Sequence, residues 1–582
     1  MTTDLKKLWA IFTPAERRKS IVMLVLIILM AVAETAGVLS LMPFLTVLGK
    51  PTVIHTNHYL AAAYHALGFT SSRSFIFALG FGSVALVVGS SAFKTITLHL
   101  INRFVHFLRH SISARLLSRY LHQPYEFFLT RNPSILARNV LSEVDQLQGQ
   151  LIRPVAQLIA QGSIVVAMTV LIFVYDPITA IAIVAVLGVL YGGIYGAVRK
   201  RLKHIGQARH TANGARYKAC NEALGGIKDL KVTQSAAAYQ DAFNHASREF
   251  SRHSATNETL AQSPLYLVEA TGISLVIVLA MVLLRQSNDI GHVLPALGLY
   301  GFAAYRMLPS AQIMYRGFAN LKFTSASLTS IHHDLGLADD ATIPTATTIV
   351  PQQAIRLENI HYAYPSAPDK PVFNGFDLTI PARQSTGIAG KSGAGKSTLM
   401  DLLLGLLHPV QGTLSVDGVV IDASNASAWQ RAIGYVPQHI YLADASVAQN
   451  IAFGIAEDAI DMQAVERAAR AAQIHDFVTN ELPQSYATPV GDRGIRLSGG
   501  QRQRIGIARA LYRDPAVLFF DEATSALDNE TEAALNDAIA RLSGDKTIVV
   551  IAHKEASLRS CSHVVQLHAA KHNWPRHTDL LQ

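Results

Sequence analysis

A glycine-rich stretch at residues 390–398 carries the clearest chemistry in this chain. It reads Gly-Lys-Ser-Gly-Ala-Gly-Lys-Ser-Thr, follows the strand-like run 385–389 and precedes the helix-like run 399–407. Glycines at this spacing let backbone N–H groups surround phosphate oxygens, and the N-terminus of the following helix adds partial positive charge. We expect Lys396 to neutralise the β- and γ-phosphates and the Ser397 hydroxyl to bind Mg²⁺. The stretch therefore predicts a nucleoside triphosphate site.

Two adjacent carboxylates follow an apolar strand later in the chain. Residues 517–520 read Val-Leu-Phe-Phe and are followed directly by Asp521 and Glu522. We expect Asp521 to hold the Mg²⁺ shell and Glu522 to polarise the attacking water. Such a pair is weak evidence by itself, but it is strong evidence in a chain that also contains a phosphate loop. The sequence thus predicts hydrolysis as well as nucleotide binding.

The sequence Leu-Ser-Gly-Gly-Gln at 497–501 resembles the signature of the ATP-binding cassette (ABC) family. Other family motifs are matched residue by residue. Tyr364 resembles the aromatic residue that stacks on adenine, and Gln438 resembles the Q-loop residue that contacts Mg²⁺ and faces the membrane domain. Asp528 resembles the D-loop aspartate, and His553 resembles the switch histidine at the γ-phosphate.

The resemblance implies an ATP-hydrolysing cassette that uses Mg²⁺. The expected catalytic residues are Glu522 and His553, and the expected metal ligands are Ser397, Gln438 and Asp521. The residues expected to bind the nucleotide are Tyr364, Gly390, Lys391, Ser392, Gly393, Ala394, Gly395, Lys396, Ser397, Thr398, Gln438, Leu497, Ser498, Gly499, Gly500, Gln501 and Asp528. Family geometry implies that ATP lies between 390–398 of one cassette and 497–501 of another, so we expect a homodimer.

The elements around this site include long apolar segments. The chain has 582 residues, of which 50% are hydrophobic and only 16% are charged, against about 25% charged in an ordinary soluble domain. This apolar content excludes disorder, and two cysteines cannot form a disulfide framework. Runs of about 20 apolar residues are long enough to cross a bilayer. Six such runs occur, at 21–48, 75–93, 154–175, 177–198, 264–284 and 293–314.

The net charge of +9 is an average over two unlike halves. Residues 1–335 hold 30 Lys and Arg against 15 Asp and Glu, whereas residues 336–582 hold 20 against 26. In the first half most of the basic residues lie on one side of the alternating spans, so the positive-inside rule predicts that both termini are cytoplasmic. The same basic segments could bind nucleic acid, but their alternation with the spans favours membrane topology, and we expect no nucleic-acid partner.

We therefore predict a multi-domain chain in which a six-helix all-α transmembrane domain precedes an α/β P-loop NTPase domain of the ABC type. The predicted boundaries are 1–335 for the membrane domain, 336–354 for a linker and 355–582 for the cassette. Segments 94–153 and 199–263 are predicted to extend the spans as long cytoplasmic helices. Segment 52–67 fits either a surface helix on the outer face or an ordinary loop. This order of domains resembles the B-type exporters, in which such a chain is a half-transporter.

Charged side chains inside or at the edge of membrane spans are costly and are often functional. Here they are Glu34, Lys94, Glu269 and Arg306. Lys94 lies at the cytoplasmic end of its span, where its amine can reach the interface. Glu269 and Arg306 lie at similar depth, so they suit a structural ion pair. The alternative is that Arg306 lines the transport cavity and meets an anionic head group.

Two local sequences resemble bacterial lipid-linked oligosaccharide flippases of the PglK type. These are Glu34-Thr-Ala-Gly and Tyr305-Arg306-Met-Leu-Pro-Ser. The resemblance implies that cavity arginines engage a lipid pyrophosphate and that an outer-face helix at 52–67 engages a polyprenyl tail. The expected substrate residues are Arg306, Glu269 and Glu34.

The expected activity is ATP-driven export or flipping of a lipid-linked (polyprenyl-pyrophosphate) oligosaccharide across the bacterial inner membrane. The alternative substrates are hydrophobic drugs, lipid A-like lipids or peptides. A more remote alternative is a membrane-tethered regulatory ABC ATPase that transports nothing.

Overall fold

The computed structural model of the protein describes residues 2–49, 51–175, 177–286, 290–338, 347–491, 494–522, 544–552, 558 and 561–568. The chain divides into two compact units. The first comprises Met1–Gln123 and Arg131–Asp339, and the second comprises Pro124–Thr130 and Asp340–Gln582. The short segment Pro124–Thr130, which follows the second predicted span, thus belongs to the second unit.

The first unit is helical throughout its described residues. In chain order the helices are α1 (Thr2–Ile11), α2 (Pro14–Leu39), α3 (Leu41–Gly49), α4 (Val53–Thr56), α5 (His58–Ala66), α6 (Ser72–Leu121), α7 (Tyr125–Leu129, in the second unit), α8 (Pro133–Arg138), α9 (Val144–Leu147), α10 (Arg153–Tyr175), α11 (Pro177–Gly225), α12 (Ile227–Thr233), α13 (Ala236–Gln262), α14 (Pro264–Gln286), α15 (Ile290–Phe323) and α16 (Ser325–Leu335).

The six apolar runs lie in α2, α6, α10, α11, α14 and α15. Among the described residues, four helical segments are long and apolar enough to cross a membrane: Pro14–Gly37, Ser72–Leu121, Pro133–Val174 and Ala180–Gly225. Helices suit the bilayer because every backbone hydrogen bond is made within the segment. The predicted run 21–48 is divided at Ser40, between α2 and α3. Segment 52–67 forms α4 and α5 rather than an ordinary loop.

The helix that leads into α10 contains two π-helical turns, Asn139–Glu143 and Gln148–Ile152. Wide turns of this kind shift side chains around the helix and often occur at functional positions. Glu143 is fully buried beside the first turn and accepts hydrogen bonds from Asn213 Nδ2 at 2.8 Å and Ser327 Oγ at 2.6 Å. This buried carboxylate therefore ties the extension of α10 to α11 and α16.

Helices α11 and α15 touch backbone to backbone at one glycine. A Cβ atom placed on Gly206 would collide with the carbonyl oxygen of Phe323. Apolar side chains close the packing around this contact, among them Leu202, Tyr315 and Ala319. The absence of a side chain at Gly206 is what allows the two helices to approach so closely.

The second unit contains two sheets. Its strands are β1 (Ala354–Tyr362), β2 (Phe373–Pro381), β3 (Ser385–Gly390), β4 (Gln411–Val416), β5 (Val419–Val420), β6 (Ile433–Val436), β7 (Val517–Asp521), β8 (Thr547–Ile551) and β9 (His563–Leu567). An antiparallel sheet has the order β2-β1-β4-β5, and a parallel sheet has the order β6-β7-β8-β3-β9. The remaining described helices are α17 (Lys396–Leu403), α18 (Ala426–Gln430), α19 (Val447–Ile451), α20 (Met462–Ala471), α21 (His475–Asn480) and α22 (Gly499–Leu511).

The strands β7 and β8 of the parallel sheet are covered on both faces, so they are apolar along most of their length. Phe519 on β7 packs into a core with Leu399 and Trp429, which lies between the two sheets. The next residue, Phe520, packs into a second core with Val465 and Ile505 from the helical layer. The predicted fold class, a helical membrane domain followed by an ABC-type α/β domain, is confirmed.

Candidate functional site

The phosphate loop connects the buried strand β3 to α17. Gly393 and Gly395 both have positive φ, +81° and +94°, a backbone conformation that L side chains rarely adopt. Gly395 also has no room for a side chain, since an added Cβ would lie 2.8 Å from Val372 Cγ1. The predicted glycines at 393 and 395 therefore lie in a tight turn whose backbone conformation favours residues without a side chain.

Lys396 opens α17 and is only 7% exposed. Its Nζ donates to the carbonyl oxygens of Gly390 and Lys391, at 2.9 and 3.3 Å. These contacts hold the ammonium group over the loop. A buried ammonium among backbone N–H groups gives this loop the charge that an anionic phosphate requires.

The two predicted carboxylates lie at the carboxyl end of β7, an interior strand of the parallel sheet. Asp521 is paired in register with Ile551 of β8, and Glu522 follows with φ of +49°. The Glu522 N–H donates to the Ile551 carbonyl at 2.9 Å. This left-handed backbone turns the Glu522 side chain out of the strand direction, and such strained conformations often occur at functional positions.

Gln438 follows β6, the neighbour of β7, and reaches the same edge. Its Nε2 donates to Glu522 Oε2 at 2.7 Å. The amide nitrogen is thereby engaged by the carboxylate, and the carbonyl Oε1 is the Gln438 atom with the chemistry to bind a hard cation. The structure thus brings together the residues predicted to activate water and to bind metal.

Negative charge accumulates beside the phosphate loop. Burial raises the pKa of Asp521, and the adjacent Glu522 raises it further, while Lys396 opposes the change. Burial and the charge of Asp521 raise the pKa of Asp401, on α17, to about 6. Carboxylates that repel one another in this way suit a divalent cation. The donor set of Asp521, Ser397 and Gln438 therefore fits Mg²⁺.

Tyr364 lies beside the loop. Its hydroxyl is 2.8 Å from Thr398 Oγ1, and its ring meets the edge of the Tyr362 ring with centroids 5.3 Å apart. Burial raises the pKa of Tyr125 on α7, and Asp401 and Tyr364 raise it further. Sequence reasoning had not connected Asp401, Tyr362 or Tyr125 with the site, because only their packing places them there.

The signature segment forms the start of α22. Ser498 is the N-cap, and its Oγ accepts the Gln501 N–H at 3.2 Å, while Gln501 Oε1 accepts the Ser498 N–H at 2.8 Å. This reciprocal pair fixes the first turn of the helix. Leu497 packs in the helical core, whereas Ala394 of the phosphate loop packs in the core between the sheets.

Several predicted residues are not brought into the site by the described part of the chain. Asp528 and His553 lie outside the described residues, and so does the side chain of Arg306. Glu269 is exposed on α14. Glu34 is 6% exposed, and its Oε1 accepts from Lys94 Nζ at 2.9 Å, a pairing that the sequence had not suggested. The postulated Glu269–Arg306 pair stays a prediction.

Two family models match the chain. The model described as "ABC transporter transmembrane region" matches residues 19–292, and the model described as "ABC transporter" matches residues 373–525. The fold is similar to a solved structure of a bacterial Atm1-family ABC exporter with ATP bound, with a TM-score of 0.78 and 20% identity over 96% of this chain and 94% of that one.

Curated proteins also show the similarity. An ATP-dependent lipid A-core flippase of Cupriavidus pinatubonensis is 30% identical over 461 residues, 78% of this chain and 76% of the flippase. The flippase of Saccharophagus degradans is 29% identical over similar shares, 78% and 76%. The mitochondrial ATP-binding cassette sub-family B member 10 of Mus musculus is 43% identical over 221 residues, 38% of this chain and 31% of the mouse protein.

Proposed function

Because the chain belongs to the ABC transporter family, we propose that it uses ATP hydrolysis to export or flip a lipid-type substrate across a membrane. The 30% identity to a lipid A-core flippase carries this proposal. The aligned 461 residues are more than either compact unit contains, so the similarity includes both the membrane helices and the cassette. An ATPase that only regulates would not require this similarity in the membrane helices.

The ATP-hydrolysing step follows from the arrangement at the edge of the parallel sheet. The phosphate loop and Lys396 bind the β- and γ-phosphates, and Tyr364 stacks on the adenine. Glu522, aligned by Gln438, accepts a hydrogen bond from the attacking water and polarises it toward the γ-phosphate. His553 contacts the γ-phosphate in this proposal, by family resemblance.

Ser397, Gln438 and Asp521 would hold Mg²⁺. When bound there, Mg²⁺ would neutralise charge that develops on the phosphates during hydrolysis. The raised pKa of Asp521 supports this assignment, since a cation relieves the repulsion between Asp521 and Glu522. A bound cation would thus explain why the carboxylates of Asp521 and Glu522 are adjacent.

A homodimer would complete each ATP site. The phosphate loop belongs to the core between the sheets, and the signature belongs to the helical core, so one cassette presents them from separate layers. In the proposed dimer, 390–398 of one copy faces 497–501 of the other, with Asp528 near the contact. The first turn of α22 then directs its N–H groups at the γ-phosphate.

The transported lipid is proposed to be a lipid-linked oligosaccharide, with Arg306 meeting its pyrophosphate and Glu269 and Glu34 nearby. The short similarities around Glu34 and Tyr305-Arg306 support this choice. A lipid A-core glycolipid is the second candidate, because the similar flippases carry that substrate in their names. Both lipids combine phosphate, sugar and long acyl or prenyl chains. The basic cytoplasmic segments support a bacterial inner-membrane location with both termini inside.

Translocation in proteoliposomes tests the proposal. Fluorescent lipid-linked oligosaccharide, a lipid A-core glycolipid and a simple phospholipid are compared, with and without ATP, using reduction of the outer-leaflet fluorophore as the readout. We expect ATP-dependent movement of the oligosaccharide lipid that exceeds movement of the phospholipid. Movement of the lipid A-core glycolipid alone would select the second candidate, and movement of none of them would contradict lipid transport.

A further inference from the structure

A cleft in the first unit carries basic side chains that the ATP cycle does not use. It has a volume of about 550 Å³ and lies between α11 and α16. Lys203, Gln207 and His210 line it from α11, and Thr329, Ser330 and His333 line it from α16. Packed helices usually face one another with apolar stripes. These facing stripes are polar instead, which indicates that the space between them holds water or a polar ligand.

Two histidines in this cleft are each held by a buried carboxylate. His210 Nδ1 is 3.2 Å from Glu143 Oε2, and His333 Nδ1 is 3.1 Å from Asp334 Oδ1. An ionised carboxylate can only accept a hydrogen bond, so each Nδ1 carries the hydrogen. Nε2 is then the ring nitrogen that can contact a ligand in the cleft.

One of the two carboxylates, Asp334, also lines the cleft, but the oxygens of both carboxylates are engaged by neighbouring side chains. Asp334 Oδ2 accepts from the Tyr120 hydroxyl at 2.6 Å and from Asn139 Nδ2 at 3.1 Å, and its Oδ1 is 3.5 Å from Arg131 Nη1. Glu143 is fully buried and accepts from Asn213 and Ser327, as described above. Their negative charge is therefore directed into a buried network.

Two lysines add positive charge at the cleft. Lys203 lines it directly, and Lys7 of α1 reaches it by donating to Thr329 Oγ1 at 3.0 Å. Carboxylate-oriented histidines also suit a metal ion. Two ammonium groups repel a cation, however, and the described part of the chain contains no group of three or more His, Cys, Asp or Glu placed to hold a metal. An anion fits this set of donors.

We propose that this cleft binds the phosphate group of an anionic phospholipid in the cytoplasmic leaflet. Lys203 follows the apolar run 177–198 by five residues, about 8 Å along the helix, which is the depth of lipid head groups. Helix α1, attached beside the cleft through Lys7, exposes Leu5 by 37% and Trp9 by 45%. Exposed Trp and Leu beside lysines are typical of a helix that lies in the interface.

The site is separate from transport, because it lies outside the ATP site and does not involve Arg306. A bound head group would cross-link α11 and α16 through charge-assisted hydrogen bonds. We therefore expect anionic lipid to stabilise the cytoplasmic extensions of the full-length protein and to raise its ATPase rate. This expectation does not depend on which lipid the protein transports.

The test variant is Lys203→Gln with His333→Gln, since both side chains are exposed. Asp334 loses its contact with His333 in this variant but keeps its hydrogen bonds from Tyr120 and Asn139. The matched control is Arg201→Gln with His332→Gln, which likewise removes one basic side chain and one imidazole, from positions two and one residues away. Arg201 points about 200° around α11 from Lys203. Full-length protein is purified in detergent with equal phosphatidylglycerol and phosphatidylcholine, and retained lipids are counted by native mass spectrometry.

We expect wild type and control to retain phosphatidylglycerol selectively, and the test variant to lose about tenfold of this retention. Phosphatidylglycerol should also raise the ATPase rate of wild type and control in phosphatidylcholine nanodiscs, but not that of the variant. If the variant and the wild type retain equal amounts of phosphatidylglycerol, the proposed site is wrong. If millimolar inorganic phosphate reproduces the stimulation and displaces no lipid, the lipid as the source of phosphate is overturned. A thermal melting curve in phosphatidylcholine alone checks that the variant is folded.

Discussion

Gln438 donates its side-chain N–H to Glu522 Oε2 at 2.7 Å, across the carboxyl ends of two adjacent parallel strands. The residue assigned to metal binding thus positions the residue assigned to water activation. The hydrogen bond thus links the side chain proposed to bind Mg²⁺ directly to the carboxylate proposed to activate water. A displacement of Gln438 is therefore expected to move the Glu522 carboxylate as well.

The first prediction concerns Glu522. Glu522→Gln keeps the shape of the side chain and removes the carboxylate, so we expect the ATPase rate to fall by at least about 100-fold. ATP binding should persist, because the phosphate loop is intact. Phosphate release and binding of a fluorescent ATP analogue measure the two effects. Glu481→Gln, an exposed glutamate of the same unit, is the control, and normal turnover in Glu522→Gln would refute the assignment.

The second prediction concerns Lys396. Its ammonium is held by two backbone carbonyls beside the phosphate loop. Lys396→Met fills similar volume without the charge, so we expect ATP affinity to fall by at least about tenfold, the value of one charge-assisted hydrogen bond. Equilibrium binding of ATP measures it, and Lys370→Met serves as an exposed control. Unchanged affinity would mean that the loop does not bind phosphate.

The third prediction separates a structural role of Glu34 from a substrate role. Lys94→Met leaves the buried Glu34 carboxylate without this partner, which should cost about 3 kcal/mol of stability. The double variant Glu34→Gln with Lys94→Met should recover most of that loss. Thermal unfolding in detergent measures both, and Asp241→Asn, at an exposed position of α13, is the control. Failure of the second substitution to restore stability would argue against the pair.

The fourth prediction concerns Arg306. If Arg306 meets an anionic head group, Arg306→Ala abolishes translocation of the oligosaccharide lipid and leaves basal ATPase activity in place. If it forms an ion pair with Glu269, the variant folds poorly and is rescued by adding Glu269→Gln. Yield of folded protein and the proteoliposome assay distinguish these outcomes. Arg316→Ala, ten residues later on α15, controls for loss of a basic residue from this helix.

The fifth prediction is a pH dependence. The Asp417 carboxylate accepts the backbone N–H groups of Gln352, Gln353 and Ala354 at 2.6, 2.9 and 2.9 Å. Burial alone would raise the pKa of Asp417, but these three donors lower it on balance from its ordinary value of 3.8. The stabilisation is therefore present above the unfolded-state pKa and is lost as the pH falls through the folded-state pKa.

Asp417→Asn should lower stability by about 1 kcal/mol at neutral pH, or about 2–4 °C in Tm. The difference from wild type should shrink below about pH 4. Melting curves across this pH range check the result, with Asp369→Asn as an exposed control. A difference that is constant with pH would show that the charge of Asp417 is not involved.

Sequence was sufficient for the parts of the molecule that short segments determine. The glycines of the phosphate loop, the apolar strand before Asp521 and the apolar runs in the first half each encode a local geometry, and each is found in the structure. The predictions for Asp528, His553 and the Arg306 side chain concern residues that the structure does not describe.

Contacts between distant segments could not be predicted in this way. Glu34 and Lys94 are 60 residues apart, and neither local sequence indicates that the other residue is its partner. The buried hydrogen bond from Ser327 to Glu143 depends on how three helices pack. It also depends on a π-helical turn that the sequence pattern did not indicate. Asp401 was missed for the same reason, because only folding places it near Asp521.

The glycine contact between α11 and α15 has a mechanical consequence. With the Gly206 backbone resting on Phe323, even a methyl group at this position would push α11 and α15 apart. The contact lies about 28 Å from the C-terminal end of α11 and about 43 Å from its N-terminal end, so it sets the separation of the two helices at an interior point of α11.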